Sequence, residues 1–312
     1  MRRTPTSSAQ SSERGFVIVA VLWILVALSA LAAIFSVYLS NSARVLGATD
    51  IGVPTEALAS ASLELTAYQL LLHAQDKERP AQGSFRFKMD NAEVLVTFTS
   101  EAARVDLNKA SKEMLSNLFE VLGAEPKAAG EVADRIVGWR TEAKPNAAND
   151  EEALYLASGL GYSPRQGPFA HVDELSLVLG VSPAMVERVL PFVTVYSKSA
   201  DVDVLLAPAE VVAAVPGMTP EALNDFLKQR ATLPRDPKAV AAALGAAAKA
   251  ATLPEAKAYR VVTAIRFDNG RRASTEAVIS LGKDQDKEPY SVLSWQDHAE
   301  TGSGSLRQAG RS

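Results

Sequence analysis

His73, His171 and His298 are the chain's three imidazoles, and none shares a helical turn with another, so the spacing that builds a zinc site is missing. There is no cysteine. That removes thiol nucleophiles, disulfides and cysteine metal ligands together. No phosphate loop, Gly-x-Ser-x-Gly or Gly-x-Gly-x-x-Gly occurs. With no nucleophile and base in register and no cofactor fingerprint, the chain is not expected to be an enzyme. A net charge of −4 and a pI near 5.6 make it a poor partner for nucleic acid phosphates. What remains is a chain that works by association, so the elements that place its surfaces matter most.

The stretch from Arg14 to Tyr38, RGFVIVAVLWILVALSALAAIFSVY, is the first of these. From Phe16 to Ala43 there is no Asp, Glu, Lys or Arg, a run of about 28 residues or roughly 42 Å of helix. A bilayer core is about 30 Å thick, so residues 16–43 are expected to span it. Arg2, Arg3 and Arg14 precede the run against one acid, Glu13, and only Arg44 follows closely. The positive-inside rule then places the N-terminus in the cytoplasm and the rest of the chain outside it. An ordinary secretory signal cut at Ala30-Leu31-Ala32 is the competing reading, but the apolar run continues through Ile34, Phe35, Val37, Tyr38 and Leu39.

Beyond Gly47, Gly52 and Pro54, which should loosen or kink the helix, Leu58, Ala61, Leu65, Tyr68 and Leu72 recur at helical spacing. The period then becomes two. Phe85, Phe87 and Met89 lead into Asp90-Asn91, and Val94, Val96 and Phe98 follow, as in a hairpin. Matching strands come from the far end: Val261 to Phe267, an Asn269-Gly270 turn, Ala273 to Leu281, and Tyr290 to Trp295. Residues 105–255 between these regions are helical in pattern and weakly repeated. Val105-Asp106-Leu107 with Ala110-Ser111 matches Val202-Asp203-Val204 with Ala207-Pro208, and each leads into an apolar helix. Phe192 to Tyr196 suggests a short linking strand, and alanine-rich 239–251 a helix.

Gly15-Phe16, after a short polar and basic leader, resembles the cleavage site of prepilin-class signals. Further residues narrow the resemblance. Gly167-Pro168-Phe169, Val172-Asp173-Glu174-Leu175, Gly180-Val181-Ser182-Pro183 and Pro191-Phe192-Val193-Thr194-Val195-Tyr196 are similar to the central segment of the minor pseudopilin K family of bacterial type II secretion. Val105-Asp106-Leu107-Asn108-Lys109-Ala110-Ser111 agrees with it too. The resemblance implies an α+β fold: a long N-terminal membrane-spanning helix packed on a small antiparallel sheet, with a large all-α insertion, SAM-like or helix-hairpin-helix-like, between strands. It divides the chain into a cleaved leader (1–15), a transmembrane helix (16–43), a pilin-like helix and hairpin (44–104), a helical insertion (105–255), C-terminal strands (256–297) and a disordered tail (298–312).

The resemblance also implies roles. A prepilin peptidase would cut after Gly15, on the cytoplasmic side, and leave a methylated Phe16. Most pilins carry Glu at the fifth mature position; Ala20 stands there, a departure shared by K-type members. A tip subunit has no neighbour ahead whose amine needs a carboxylate, and an unpaired carboxylate in hydrocarbon costs a few kcal/mol. The implied partners are the minor pseudopilins I and J, with H below, and the inner-membrane assembly platform. The implied location is the inner membrane, single-pass, with a periplasmic head. Some K proteins bind calcium in acidic loops of the insertion. The candidates are Glu142, Asp150, Glu151 and Glu152, around Asn146 and Asn149, although Gly138, Thr141 and Ala153 stand where more carboxylates and aromatics would be expected. A plain solvated acidic loop is the alternative. The runner-up for the whole protein is a membrane-anchored, extracytoplasmic helix-hairpin-helix DNA binder of a competence-like system. It would hold phosphate near Leu122-Gly123-Ala124-Glu125-Pro126 or Pro216-Gly217-Met218-Thr219, but Glu125 repels phosphate and Pro126 offers no N–H.

Overall fold

The computed structural model describes the backbone of residues 12–72, 79–142, 150–250, 253–282 and 288–298, and their side chains except at 12–20, 37–53, 150 and 249–250. The chain divides into two units, Met1–Leu58 and Ala59–Ser312. The first helix, α1 (Ser12–Leu72), runs through Gly47, Gly52 and Pro54 without ending. A proline removes only one backbone donor, so a long helix can carry one. In the first unit, the large apolar side chains from Val21 to Phe35 are all exposed, Trp23 at 72%. Among the described residues, no helix is long and apolar enough to cross a membrane.

In the second unit, a five-stranded antiparallel sheet is built from both ends of the sequence. Strands β1 (Gln82–Met89) and β2 (Ala92–Ser100) form a hairpin around Asp90, which takes a positive φ of 49°. After two short strands described below, β5 (Ala258–Phe267), β6 (Arg272–Leu281) and β7 (Tyr290–His298) complete the order β1-β2-β5-β6-β7. Gly270, at φ +82°, makes the β5–β6 turn. Val94, Val96 and Phe98 are buried with Tyr259, Val261, Ile265, Ala277 and Ile279 on the shared face of the pleat.

The helical segment over this unit buries Ala59, Ser62, Leu63, Thr66, Ala67 and Leu70. The expected stripe is corrected in part: Leu58 is buried and Ala61 half-buried, but Leu65, Tyr68 and Leu72 are exposed, on the opposite side of α1 from these buried residues. Small residues occupy the inner face, and Thr66 satisfies its hydroxyl by donating to the Ser62 carbonyl at 2.7 Å, which lets a polar residue be buried. At the sheet margin the Tyr290 hydroxyl donates to Glu64 at 3.0 Å, and burial followed by that carboxylate pushes the phenol up to about 12.

Between β2 and β5, which are direct neighbours, the chain leaves the sheet and returns. Ser100 pairs with Tyr259, so both ends of the insertion start at one place. The insertion holds β3 (Val105–Asp106), α2 (Lys112–Val121), α3 (Pro126–Arg140), α4 (Asp150–Ala157), α5 (Pro183–Val189), β4 (Val193–Thr194), α6 (Ala209–Ala213), α7 (Pro220–Gln229) and α8 (Pro237–Leu244). One apolar core runs through it, with Leu107, Leu115, Leu118, Phe119, Ile136, Tyr155, Leu175, Val211, Phe226 and Leu244 fully covered. The expected strand at 192–196 is β4, shortened to two residues that pair in parallel with β3. The expected 239–251 helix stops at Leu244, because Gly245 adopts φ +57° and the chain tightens into a 3-10 turn.

Candidate functional site

The internal repeat is a repeat of geometry. Asp106 Oδ1 accepts from Asn108 N–H, and the Asp106 carbonyl accepts from Ala110 N–H. Asp203 does the same one unit later, toward Leu205 and Ala207. Each unit then carries an arginine at the end of its second helix. Arg140 donates to the carbonyls of Leu107 (2.5 Å) and Ala110 (2.7 Å), and Arg230 donates to that of Ala207 (2.6 Å). The guanidinium satisfies carbonyls that the preceding turn leaves without donors. These arginines were not singled out from the sequence; their signal was the arginine closing each amphipathic second helix.

The units meet the sheet at a buried polar junction that the sequence also did not reveal. Glu101, 1% exposed, directly follows β2. It accepts from Arg260 Nε of β5 at 2.7 Å and from the Thr194 hydroxyl of β4. Arg260 also donates to Glu276 of β6, and Asp203 N–H donates to the Ala102 carbonyl at 2.7 Å. Burial works against the Arg260 charge. The hydrogen bond and charge of Glu101, followed by Glu276, outweigh it and hold the guanidinium above its ordinary value. Beside it, burial and then the repulsion of Arg260 lower Arg104. Asp203 is fully buried and paired with Arg235. Asp106 accepts from the Ser197 hydroxyl (3.1 Å) and Lys198 N–H (2.8 Å); burial raises its carboxyl even so. Five chain segments thus converge where the insertion leaves the sheet.

Each hairpin spends backbone amides inside its own turn. In the first, Gly123 N–H donates to Glu120 O and Ala124 N–H to Phe119 O, while Arg188 donates to the Leu122 carbonyl. In the second, Met218 N–H donates to Val215 O. Amides already used within their own turns cannot hold an oxyanion.

The acidic candidates divide. Glu142 is exposed, and the Asp150 side chain, with Asn146 and Asn149, lies outside the described residues. Glu151 lies across α3 with its Oε2 2.9 Å from Arg135 Nη1, at ion-pair distance but off the hydrogen-bonding direction, and its Oε1 accepts no hydrogen bond. A Cβ at position 138 would come within 2.5 Å of the Glu151 carboxyl carbon; Gly138 is what lets Glu151 lie there. Burial, partly offset by Arg135, raises the Glu151 carboxyl. Glu152 turns to the Ser163 hydroxyl at 3.2 Å. Among the described residues, no three His, Asp or Glu side chains converge on one point. The donor set therefore fits calcium only if the loop outside the described residues contributes. Gly15, Phe16 and Ala20 lie within α1, and their side chains are outside the described residues.

Residues 91–198 match the model of the family described as type II secretion system protein K. The matched segment begins in the turn before β2, includes Glu101 and Thr194 of the junction and ends beyond β4. Over 205 residues the chain is 27% identical to type II secretion system protein K of Klebsiella pneumoniae, covering 58% of this chain and 62% of that relative. Its fold is similar, with a TM-score of 0.54 at 15% identity, to a chain in the crystal structure of the GspK-GspI-GspJ complex from the enterotoxigenic Escherichia coli type 2 secretion system. That similarity covers 77% of this chain and 94% of the other. Fold and matched segment are both similar to those of protein K of the bacterial type II secretion system. Within the chain, residues 91–198 are the part that this family model describes.

Proposed function

We propose that the chain is the minor pseudopilin at the tip of the type II secretion pseudopilus, where it nucleates assembly and supports export of folded proteins across the outer membrane. The observation that carries this is the family match over 91–198, a segment that includes Glu101 and Thr194 of the junction between the helical insertion and the sheet. The proposed partners are the minor pseudopilins I and J, the companions of K in the similar solved complex, with H below them. Residues 16–43 would span the inner membrane with the head in the periplasm, as their lack of charge and the basic leader suggest. Prepilin peptidase would cut between Gly15 and Phe16, and Ala20 would mark a subunit with none ahead of it. The protein would work by association, with force for extraction supplied by the inner-membrane assembly platform. In cells lacking the chain, the folded proteins this machine exports should accumulate in the periplasm and return to the medium on complementation. Undiminished export would overturn the proposal.

The acidic loop is proposed as a calcium site supplied by Glu142, Asp150, Glu151 and Glu152, with the free Glu151 Oε1 as the supporting feature. An ion bound only by the folded state stabilises it by mass action, about 2.7 kcal/mol at a hundredfold excess over Kd. Millimolar calcium should therefore raise the Tm of the full chain, and the rise should vanish in Glu151→Ala/Glu152→Ala. An unchanged Tm would leave a solvated acidic loop.

A further inference from the structure

We propose that the open face of the sheet, at its hairpin end, is a docking surface for an extended polypeptide segment that carries carboxylates on alternate residues. On the side of the pleat opposite Val94, Val96 and Ile265, the register lines up Lys88 of β1, Glu93 of β2, Arg266 of β5 and Arg272 of β6 in one row across the sheet. Arg86, Leu95, Ala264, Ser274 and His298 form the next row. Toward the junction this side is closed, with Val278 2% exposed. At the hairpin end it is open: Arg86, Lys88, Ala264, Arg266 and Arg272 are all exposed. A cleft of about 470 Å³ lies among Arg86, Phe87, Lys88, Glu93, Arg266 and Asp268.

The charges of this surface are in conflict with one another. Arg266 and Arg272 are directly opposite across the strands, and like charges so placed repel. Arg86 and Lys88 project from the same side of β1, two residues apart. Glu93 is the acid of the row, and Arg266 already donates to it. Among the described residues, no carboxylate pairs with Arg86, Lys88 or Arg272. With the bordering turns, the hairpin end holds five cations, Arg271 being the fifth, against three acids, Asp90, Glu93 and Asp268, in a chain of net charge −4. The repulsion works against folding, and an anion laid across the row relieves it. Carboxylates of a polypeptide fit. Lys88 and Arg272 are three strand spacings apart, about 14 Å or about four residues of extended chain, and residues four apart share one face of such a chain. A lipid surface does not fit. No large apolar side chain of β1, β2, β5 or β6 is exposed on this side to enter it, Met89 being on the other, and exposed Asp90 and Asp268 would meet its phosphates. Face to face with a second copy, the row would meet its own charge. Residues 299–312 do not complement it, with Glu300 against Arg307 and Arg311. The inference goes beyond the pseudopilin assignment, since the surface is defined without it.

The test uses the full chain in nanodiscs of zwitterionic lipid, with chelator present and empty discs as blank. The probes are two fluorescent peptides of alternating sequence, one of Glu and Thr, the other of Gln and Thr. The Glu peptide should bind roughly tenfold more tightly or better, with an affinity that falls as salt rises. Arg86→Gln/Lys88→Gln/Arg272→Gln, which alters only exposed side chains, should weaken it roughly tenfold and flatten the salt dependence, while circular dichroism is unchanged. Without peptide, Arg272→Gln alone should raise the Tm at low salt by about 1–2 °C, because it removes the repulsion from Arg266. Equal binding of both peptides, binding of neither, wild-type affinity in the triple variant, or a Tm lowered by Arg272→Gln overturns the proposal. So does self-association, or capture by anionic vesicles, that the triple variant abolishes; either would assign the face to a second copy or to a membrane.

Discussion

Arg260→Met should destabilise the folded chain by about 3–5 kcal/mol, the usual cost of removing one member of a buried ion pair. The arginine is the only described cation hydrogen-bonded to Glu101, and Glu101 is almost wholly enclosed. Methionine keeps the apolar stem and removes the charge. A carboxylate is then left in a low-dielectric site with the Thr194 hydroxyl as its remaining hydrogen-bond donor and the Arg104 charge 4.0 Å away. At roughly 2–4 °C per kcal/mol for a unit of this size, the Tm should fall by roughly 10 °C. Arg266→Met is the control. It breaks an exposed pair with Glu93, of side chains 66% and 44% exposed, and should change stability by about 0.5 kcal/mol or less. Equal effects from the two substitutions would mean that the junction is no more than a surface contact.

The second large effect is expected at Gly15→Val. On the pseudopilin reading the peptidase must approach the backbone at Gly15 closely, and a branched Cβ stands in that path. The precursor should then persist at full length, with its leader attached, and export should stop. Mass spectrometry of the wild-type chain should find a mature N-terminus at Phe16, with residues 16–43 retained. A terminus near Ala33 would return the segment to an ordinary secretory signal.

The sheet could be read from the sequence because two-residue alternation survives wherever one face of a strand is covered. Val94, Val96 and Phe98, and Val261 to Phe267, declare their inward side, and Asn269-Gly270 declares its turn. The inner face of α1 could not be read in the same way. A stripe drawn through the largest apolar residues chose Leu65, Tyr68 and Leu72, whereas the buried positions go to Ala59, Ser62, Thr66 and Ala67, whose small size allows close cover. The repeat was visible as Val-Asp-Leu and Val-Asp-Val, but not its arginines, which act from 30 and 23 residues away. The junction was least legible of all. Glu101 and Arg260 are 159 positions apart, and nothing local distinguishes them from surface charges. Only the return of the chain to the strand beside its departure brings them together. At the acidic loop the residue types were legible, but not that Gly138 makes room for Glu151 beneath Arg135.

The most direct test of the account is co-isolation of the tagged full-length chain, expressed with the minor pseudopilins I and J and extracted from membranes in detergent. The account predicts a complex containing all three, in which this chain begins at Phe16 and which survives purification at moderate salt. Recovery of this chain alone, while I and J still bind each other, would contradict it.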